Sequence, residues 1–311
     1  MIEVTGLTRH YGSFVALEDV SFQVAESEIV GLLGLNGAGK STTLKILAGL
    51  LAASDGSVRI NGSPVEDDPT RLYSQIGFLP ERPALYDDMT VEKYLVHVGQ
   101  LKGMSAADAN RRVPEVMALC DLKGREHQLI ATLSQGYRKR VGIAGTIIHD
   151  PKLVILDEPI SGLDPAQIVE LRQVIRGLGK GRAVILSSHI LSEISQTCDR
   201  ILVVHDGRLV AQGTEAELAA RAGGTSRLKI EVRGAADAFV NWLTAREDIK
   251  HTESQDAADG LAAALVEVDD ASREALLADL IGAGFGLRVV EPASDELEEI
   301  FLGLTQKEAS A

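Results

Sequence analysis

Gly34-Leu35-Asn36-Gly37-Ala38-Gly39-Lys40-Ser41 fits the phosphate-binding pattern G-x-x-x-x-G-K-[ST], and its flanks have the form that pattern needs. Before it, Ile29-Val30-Gly31-Leu32-Leu33 is short, apolar and bounded, as a strand buried on both faces is. After it, residues 41–48 lack Pro and Gly, keep Leu44, Leu47 and Ala48 on one helical face, and stop at Gly49. Strand, glycine loop and helix thus follow in order. That order predicts a nucleoside triphosphate site rather than an incidental glycine turn carrying Lys-Ser.

Each residue type answers a chemical need. Gly34, Gly37 and Gly39 are expected to take backbone conformations closed to residues with a β-carbon, so that successive N–H groups converge on phosphate oxygens at a helix N-terminus. Lys40 places a point charge on the β- and γ-phosphates, and the Ser41 hydroxyl ligates Mg²⁺. With Asn36, Ala38 and Thr42, these residues form the expected phosphate cradle.

The 311 residues suffice for two domains, and the net charge of −14 is unevenly placed. From Ser226 onward there are 8 Lys and Arg against 18 Asp and Glu, leaving −10 there and −4 in the first 225 residues. Nucleic acid would demand clustered cations, so no nucleic-acid partner is expected. Cys120 and Cys198 stand apart, without metal-ligand spacing or a disulfide framework, which suits a reducing cytosol. No run approaches the roughly 18 apolar residues of a membrane span, and Met1-Ile2-Glu3-Val4 lacks the features of a signal peptide. If the protein works at a membrane, another chain must cross it.

Residues 2–5 and 15–24 read as strands around a turn at Tyr11-Gly12-Ser13, followed by strands at 57–60 and 76–79. The pattern is helical from 91 to about 120, with Ser105 as an N-cap and Pro114 expected to break or kink the second helix. Strands at 153–156, 183–186 and 201–204 alternate with helices at 165–178 and 190–198, which predicts a parallel sheet with crossover helices. Asp206-Gly207 turns a hairpin into 208–211, and Thr214 with Glu217 forms a capping box. Gly223-Gly224-Thr225-Ser226 reads as a linker. Beyond it come strand 228–232, helix 236–245, strands 248–253 and 261–267, helix 271–282 and strand 286–290, an order that predicts a ferredoxin-like unit.

Leu153-Val154-Ile155-Leu156 ends in Asp157-Glu158, two carboxylates at the strand end where open α/β sheets bind ligands. Asp157 is expected to hold Mg²⁺ and Glu158 to orient or deprotonate a water. Alone, such acids are ordinarily just solvated. Downstream of the phosphate loop they read as its metal-binding and hydrolytic partners.

Between these elements lies Leu133-Ser134-Gln135-Gly136-Tyr137-Arg138-Lys139-Arg140, and with it the chain resembles the ATP-binding subunit of an ABC transporter. The family's signature is typically Leu-Ser-Gly-Gly-Gln; this chain keeps Leu133, Ser134 and Gly136 and substitutes Gln135 and Tyr137. By itself the stretch is an ordinary Ser-capped helix start, and its place about twenty residues before Asp157-Glu158 gives it meaning. The resemblance implies an α/β fold of P-loop NTPase type: a RecA-like core, an N-terminal antiparallel β subdomain and a helical subdomain at about 82–150. Residues 1–222 would form this ATPase domain, 223–227 the linker, and 228–305 a small α+β domain that regulates or dimerises.

The resemblance further implies that Tyr11 stacks on adenine, that Asp164 of Ser161-Gly162-Leu163-Asp164 lies at a dimer interface, and that His189 contacts the γ-phosphate. Glu81 replaces the family's usual Gln and is expected at the metal, with a turn toward Arg82 as the alternative. Two chains would pack head to tail, each ATP held between one chain's Lys40, Ser41, Asp157, Glu158 and His189 and the partner's Ser134 and Gly136. The stroke would pass to a separate membrane permease through the stretch after Glu81, holding the protein peripherally at the cytoplasmic face. Residues 292–301 resemble tails of ATPases serving ABC-2-type permeases, including gliding-motility-associated and multidrug-exporter-like groups. The rival functions are a soluble ABC ATPase or regulatory module without transport, and a metabolic kinase. The kinase would leave Ser134, Gly136 and His189 without a role.

Overall fold

A computed structural model describes residues 2–64, 73–222, 225–246, 248–255, 260–269 and 272–292. Two compact units divide the chain, 1–215 and 216–311. In the first, strands β1 (Ile2–Tyr11), β2 (Phe14–Val24), β4 (Asp55–Ile60) and β5 (Ser63–Pro64) form an antiparallel sheet in the order β2-β1-β4-β5. Its strands alternate buried and exposed residues, so one face (Ile2, Val4, Leu7, Val20, Phe22) enters the core.

The second sheet runs β10-β9-β3-β8-β7-β6, with β3 (Ile29–Leu33), β6 (Ile76–Leu79), β7 (Leu153–Leu156), β8 (Ala183–Ser188) and β9 (Arg200–His205) all parallel. Only β10 (Arg208–Gly213) returns antiparallel, through the expected hairpin. Every residue of β3 and β7 is buried, as their unbroken apolar runs require. Helix α1 (Lys40–Leu47) adds Leu44 and Leu47 to the same core as the inner faces of both sheets.

Helices α2 (Val91–Leu101), α3 (Ala106–Leu119) and α4 (Gln135–Ile147) make the helical part. Ser105 caps α3 by accepting from Asp108 N–H at 3.1 Å. The helix runs through Pro114, so of the expected break or kink the break does not occur. Pro114 lies on the exposed side, where the carbonyl deprived of its partner can turn to water. Helix α4 approaches β6 closely because Gly77 has no side chain: a β-carbon there would collide with the Thr146 carbonyl. Helices α5 (Pro165–Leu178) and α6 (Leu191–Ser195) cross between strands. The latter is shorter than the 190–198 read from sequence, Cys198 and Thr197 leaving it while still buried.

In the second unit, α7 (Glu215–Ala222) precedes β11 (Thr225–Arg233), α8 (Ala236–Thr244), β12 (Ile249–Gln255), β13 (Leu261–Asp269), α9 (Arg273–Gly282) and β14 (Gly286–Pro292). The antiparallel order β12-β13-β11-β14 is that of a ferredoxin-like unit. Its core joins Leu228, Ile230 and Val232 with Phe239, Leu243, Leu276 and Leu280. Thr225 already belongs to a strand, so the expected linker is shorter than read. Residues 223 and 224, and the tail resemblance beyond Pro292, lie outside the described residues.

Candidate functional site

The loop after β3 delivers Lys40 to the first position of α1, and its glycines act by two mechanisms. Gly37 and Gly39 have φ of 87° and 104°, the left-handed region that side chains disfavour. Gly34 does not, contrary to expectation. It is needed for close approach, since a β-carbon there would lie 2.5 Å from the Val204 carbonyl. The loop thereby curls over Lys40, whose side chain is only 6% exposed and whose ammonium donates to the carbonyls of Gly34 (2.7 Å) and Leu35 (3.2 Å).

The strand ends supply the acids. Asp157 Oδ1 accepts from Ser41 Oγ (3.1 Å) and Ser187 Oγ (2.8 Å), tying β7, the phosphate loop and β8 together. Glu158 follows with φ of 46°, a strained conformation for a residue with a β-carbon. Its N–H donates to Ser187 Oγ at 2.8 Å. Its carboxylate meets two partners: Oε1 lies 3.4 Å from the Lys40 ammonium Nζ and Oε2 lies 3.0 Å from His189 Nδ1.

These groups surround a cavity of about 420 Å³ also lined by Tyr11, Asn36, Gly37, Gly39, Thr42 and Glu81. Gly34, Ala38 and Asp157 support it from behind rather than lining it. The exposed Tyr11 ring carries the Arg9 guanidinium 4.8 Å from its centre, and Phe14 and Ser161 complete the wall. Ser134, Gly136 and Asp164 are not brought to this cavity. Ser134 caps α4, accepting from Tyr137 N–H at 3.5 Å, and Asp164 caps α5, accepting from Gln167 N–H at 2.9 Å. Glu81 and Arg82 share a neighbouring cavity with Gln135 and Lys139, and no ion pair joins the two among the described residues.

Two contributors escape the sequence patterns. Ser187 orders both acids, yet a serine in an apolar strand gives no notice of that. Lys139 is 5% exposed and donates to the carbonyls of Glu81 (2.6 Å) and Glu158 (3.2 Å). Burial pushes its pKa down, against the pull of Glu81, Glu158 and Asp157. Its one sequence signal is a pair of cations, Lys139 and Arg140, on the buried face that α4 shares with Ile143 and Ile147.

Known proteins resemble this chain over most of its length. The ABC transporter family model matches residues 17–161. The linearmycin resistance ATP-binding protein LnrL of Bacillus subtilis is 30% identical, over 98% of both chains. The bacitracin transport ATP-binding protein BcrA of Enterococcus faecalis is 37% identical over 70% of both. Among solved structures, an ATP-binding subunit of an ABC transporter superposes with a TM-score of 0.64 at 37% identity, covering 72% of this chain and 93% of that one. A bacterial ABC transporter cassette solved as a dimer gives 0.62 at 25% identity, covering 69% of this chain and 98% of that one. A phosphate loop joined to a strand-end acid pair and a histidine, in a chain that aligns end to end with such proteins, has one family behind it: the protein is an ATP-binding protein of the ABC transporter family.

Proposed function

We propose that two copies of this chain pack head to tail and hydrolyse ATP to drive a separate ABC-2-type membrane permease, acting in export from the cytoplasmic face. The observation that carries this is the division of the motifs. Lys40, Ser41, Glu158 and His189 meet at one cavity, while Ser134 and Gly136 stand outside it. A second copy would bring its Ser134 and the N-terminus of α4 to the phosphates. The names of the bacitracin and linearmycin relatives support export. Among the described residues no helix is long and apolar enough to cross a membrane, and in this reading the permease does so. Residues 228–305 would then regulate or dimerise.

Lys40 and the loop N–H groups would hold the β- and γ-phosphates, with Tyr11 against the adenine. Ser41 Oγ and Asp157 Oδ1 are hard oxygen donors that already converge, and they suit Mg²⁺, which completes its shell with phosphate oxygens and water. Bound there, the ion would offset phosphate charge. Glu158 would take a proton from the attacking water as its oxygen bonds to the γ-phosphorus and the bond to the bridging oxygen breaks, giving ADP and phosphate. His189, hydrogen-bonded to Glu158, would hold that carboxylate in line.

If the site needs two chains, phosphate released per chain rises with protein concentration until dimers saturate. A specific activity constant down to nanomolar protein would remove the head-to-tail reading. Glu81 adds a carboxylate to the cavity, and metal contact is its proposed role. Glu81→Gln then leaves ATP binding nearly intact and raises the Mg²⁺ concentration for half-maximal hydrolysis by about threefold or more. Superimposable Mg²⁺ titrations would take Glu81 off the metal.

A further inference from the structure

We propose that Lys139 is a positioning residue for hydrolysis, whose buried ammonium sets the direction of Glu158 and ties it to the signature helix α4. The inference rests on the functional reading above.

An ammonium is costly to bury unless its hydrogen bonds are met. Lys139 makes no direct ion pair among the described residues. It spends its donors on two main-chain carbonyls instead, those of Glu81 and Glu158, which lie 77 residues apart in sequence but next to each other in space. The Glu158 carbonyl belongs to a residue at φ 46°, a conformation that persists only where its surroundings impose it. Ser187 Oγ holds the N–H of that residue and Lys139 Nζ holds its C=O. With both ends of the backbone pinned, the Cα–Cβ bond is fixed, and the side chain built on it lies between Lys40 and His189.

The same lysine lies five residues after Ser134 on one continuous helix, about 7.5 Å along its axis. A rigid element thus carries at its tip the residue offered to the partner's nucleotide and, just over one turn later, the clamp on its own hydrolytic glutamate. Any displacement of α4 on dimer closure reaches Glu158 through one hydrogen bond. Glu81, held by the same ammonium, shares the movement.

The test compares Lys139→Met, similar in size but without donors, and Lys139→Gln, whose amide is one bond shorter and reaches one carbonyl but not both. The expected order of kcat is wild type, then Gln at about a third, then Met lower by about tenfold or more, with KM and ATP affinity within about twofold throughout. In a Glu158→Gln background, where no carboxylate remains to aim, Lys139→Met changes the residual rate by less than about twofold. A Met variant with wild-type kcat, a raised KM at unchanged kcat, or an equal loss in both backgrounds would overturn the proposal. Should Lys139→Met fail to fold, Lys139→Gln decides, and a kcat equal to wild type overturns it. Glu158→Gln alone separates the two readings. If that variant keeps turning over, the hydrolytic role of Glu158 fails; if it stops while Lys139→Met is unaffected, only the clamp fails.

Discussion

Glu158→Gln lowers ATP hydrolysis by about two to four powers of ten and converts the protein into an ATP-locked dimer, at twice the 33.2 kDa of one chain. The substitution conserves volume and removes one charge, so the fold around Ser187 and Lys139 has no reason to change. What disappears is the acceptor for the water's proton. The ion pair with Lys40 also disappears, and with it the competition that phosphate oxygens meet for that ammonium. Binding and closure therefore proceed while opening, which needs hydrolysis, does not. Size-exclusion chromatography with Mg²⁺ and ATP reads the dimer, and phosphate release reads the rate. Near-normal turnover would remove Glu158 from the catalytic role.

Lys40→Ala acts earlier, on binding itself. The ammonium is buried beneath the loop and is oriented by the Gly34 and Leu35 carbonyls. Its charge serves the bound state as well as the transition state, so its loss cannot appear in kcat alone. Charge-assisted hydrogen bonds to phosphate are worth about 1.5–3 kcal/mol each, which corresponds to at least about tenfold in affinity and about a hundredfold for two. Titration with a fluorescent ATP analogue measures this, with circular dichroism confirming the fold. An unchanged affinity would mean that the loop holds something other than a triphosphate.

The parts of this site that were legible in sequence are those whose chemistry is local. A glycine loop, its lysine and its helix lie within one stretch, and an apolar strand followed by two acids reports its own burial and its own end. The ferredoxin-like unit was legible from element order alone, since alternating short strands and helices leave few ways to close one sheet. Contacts between distant segments were not legible. Ser187 and Lys139 matter because of partners 19 to 58 residues away, and a serine in a strand or a lysine in a helix has the same appearance when it merely faces water. Gly34 owes its residue type to a neighbour and not to its own φ: the Val204 carbonyl is brought against it by β9, which pairs directly with β3. Pro114 shows the converse, a local signal that does not end the helix, whose residues Ala109, Val113, Val116 and Met117 are buried on the other face.

Mixing two inactive variants tests the shared site most directly. Lys40→Ala loses the phosphate loop of one site, and Ser134→Arg blocks the signature that reaches the other; Ser134 is exposed, and its loss as a cap costs only about 1 kcal/mol. Each homodimer has two broken sites. In a heterodimer the chain with intact Lys40 meets the chain with intact Ser134, so one site is whole. Random exchange in an equimolar mixture restores about one quarter of the wild-type rate of phosphate release. A mixture no more active than its separate components, or a Ser134→Arg protein that hydrolyses ATP at the wild-type rate by itself, would contradict a site built from two chains.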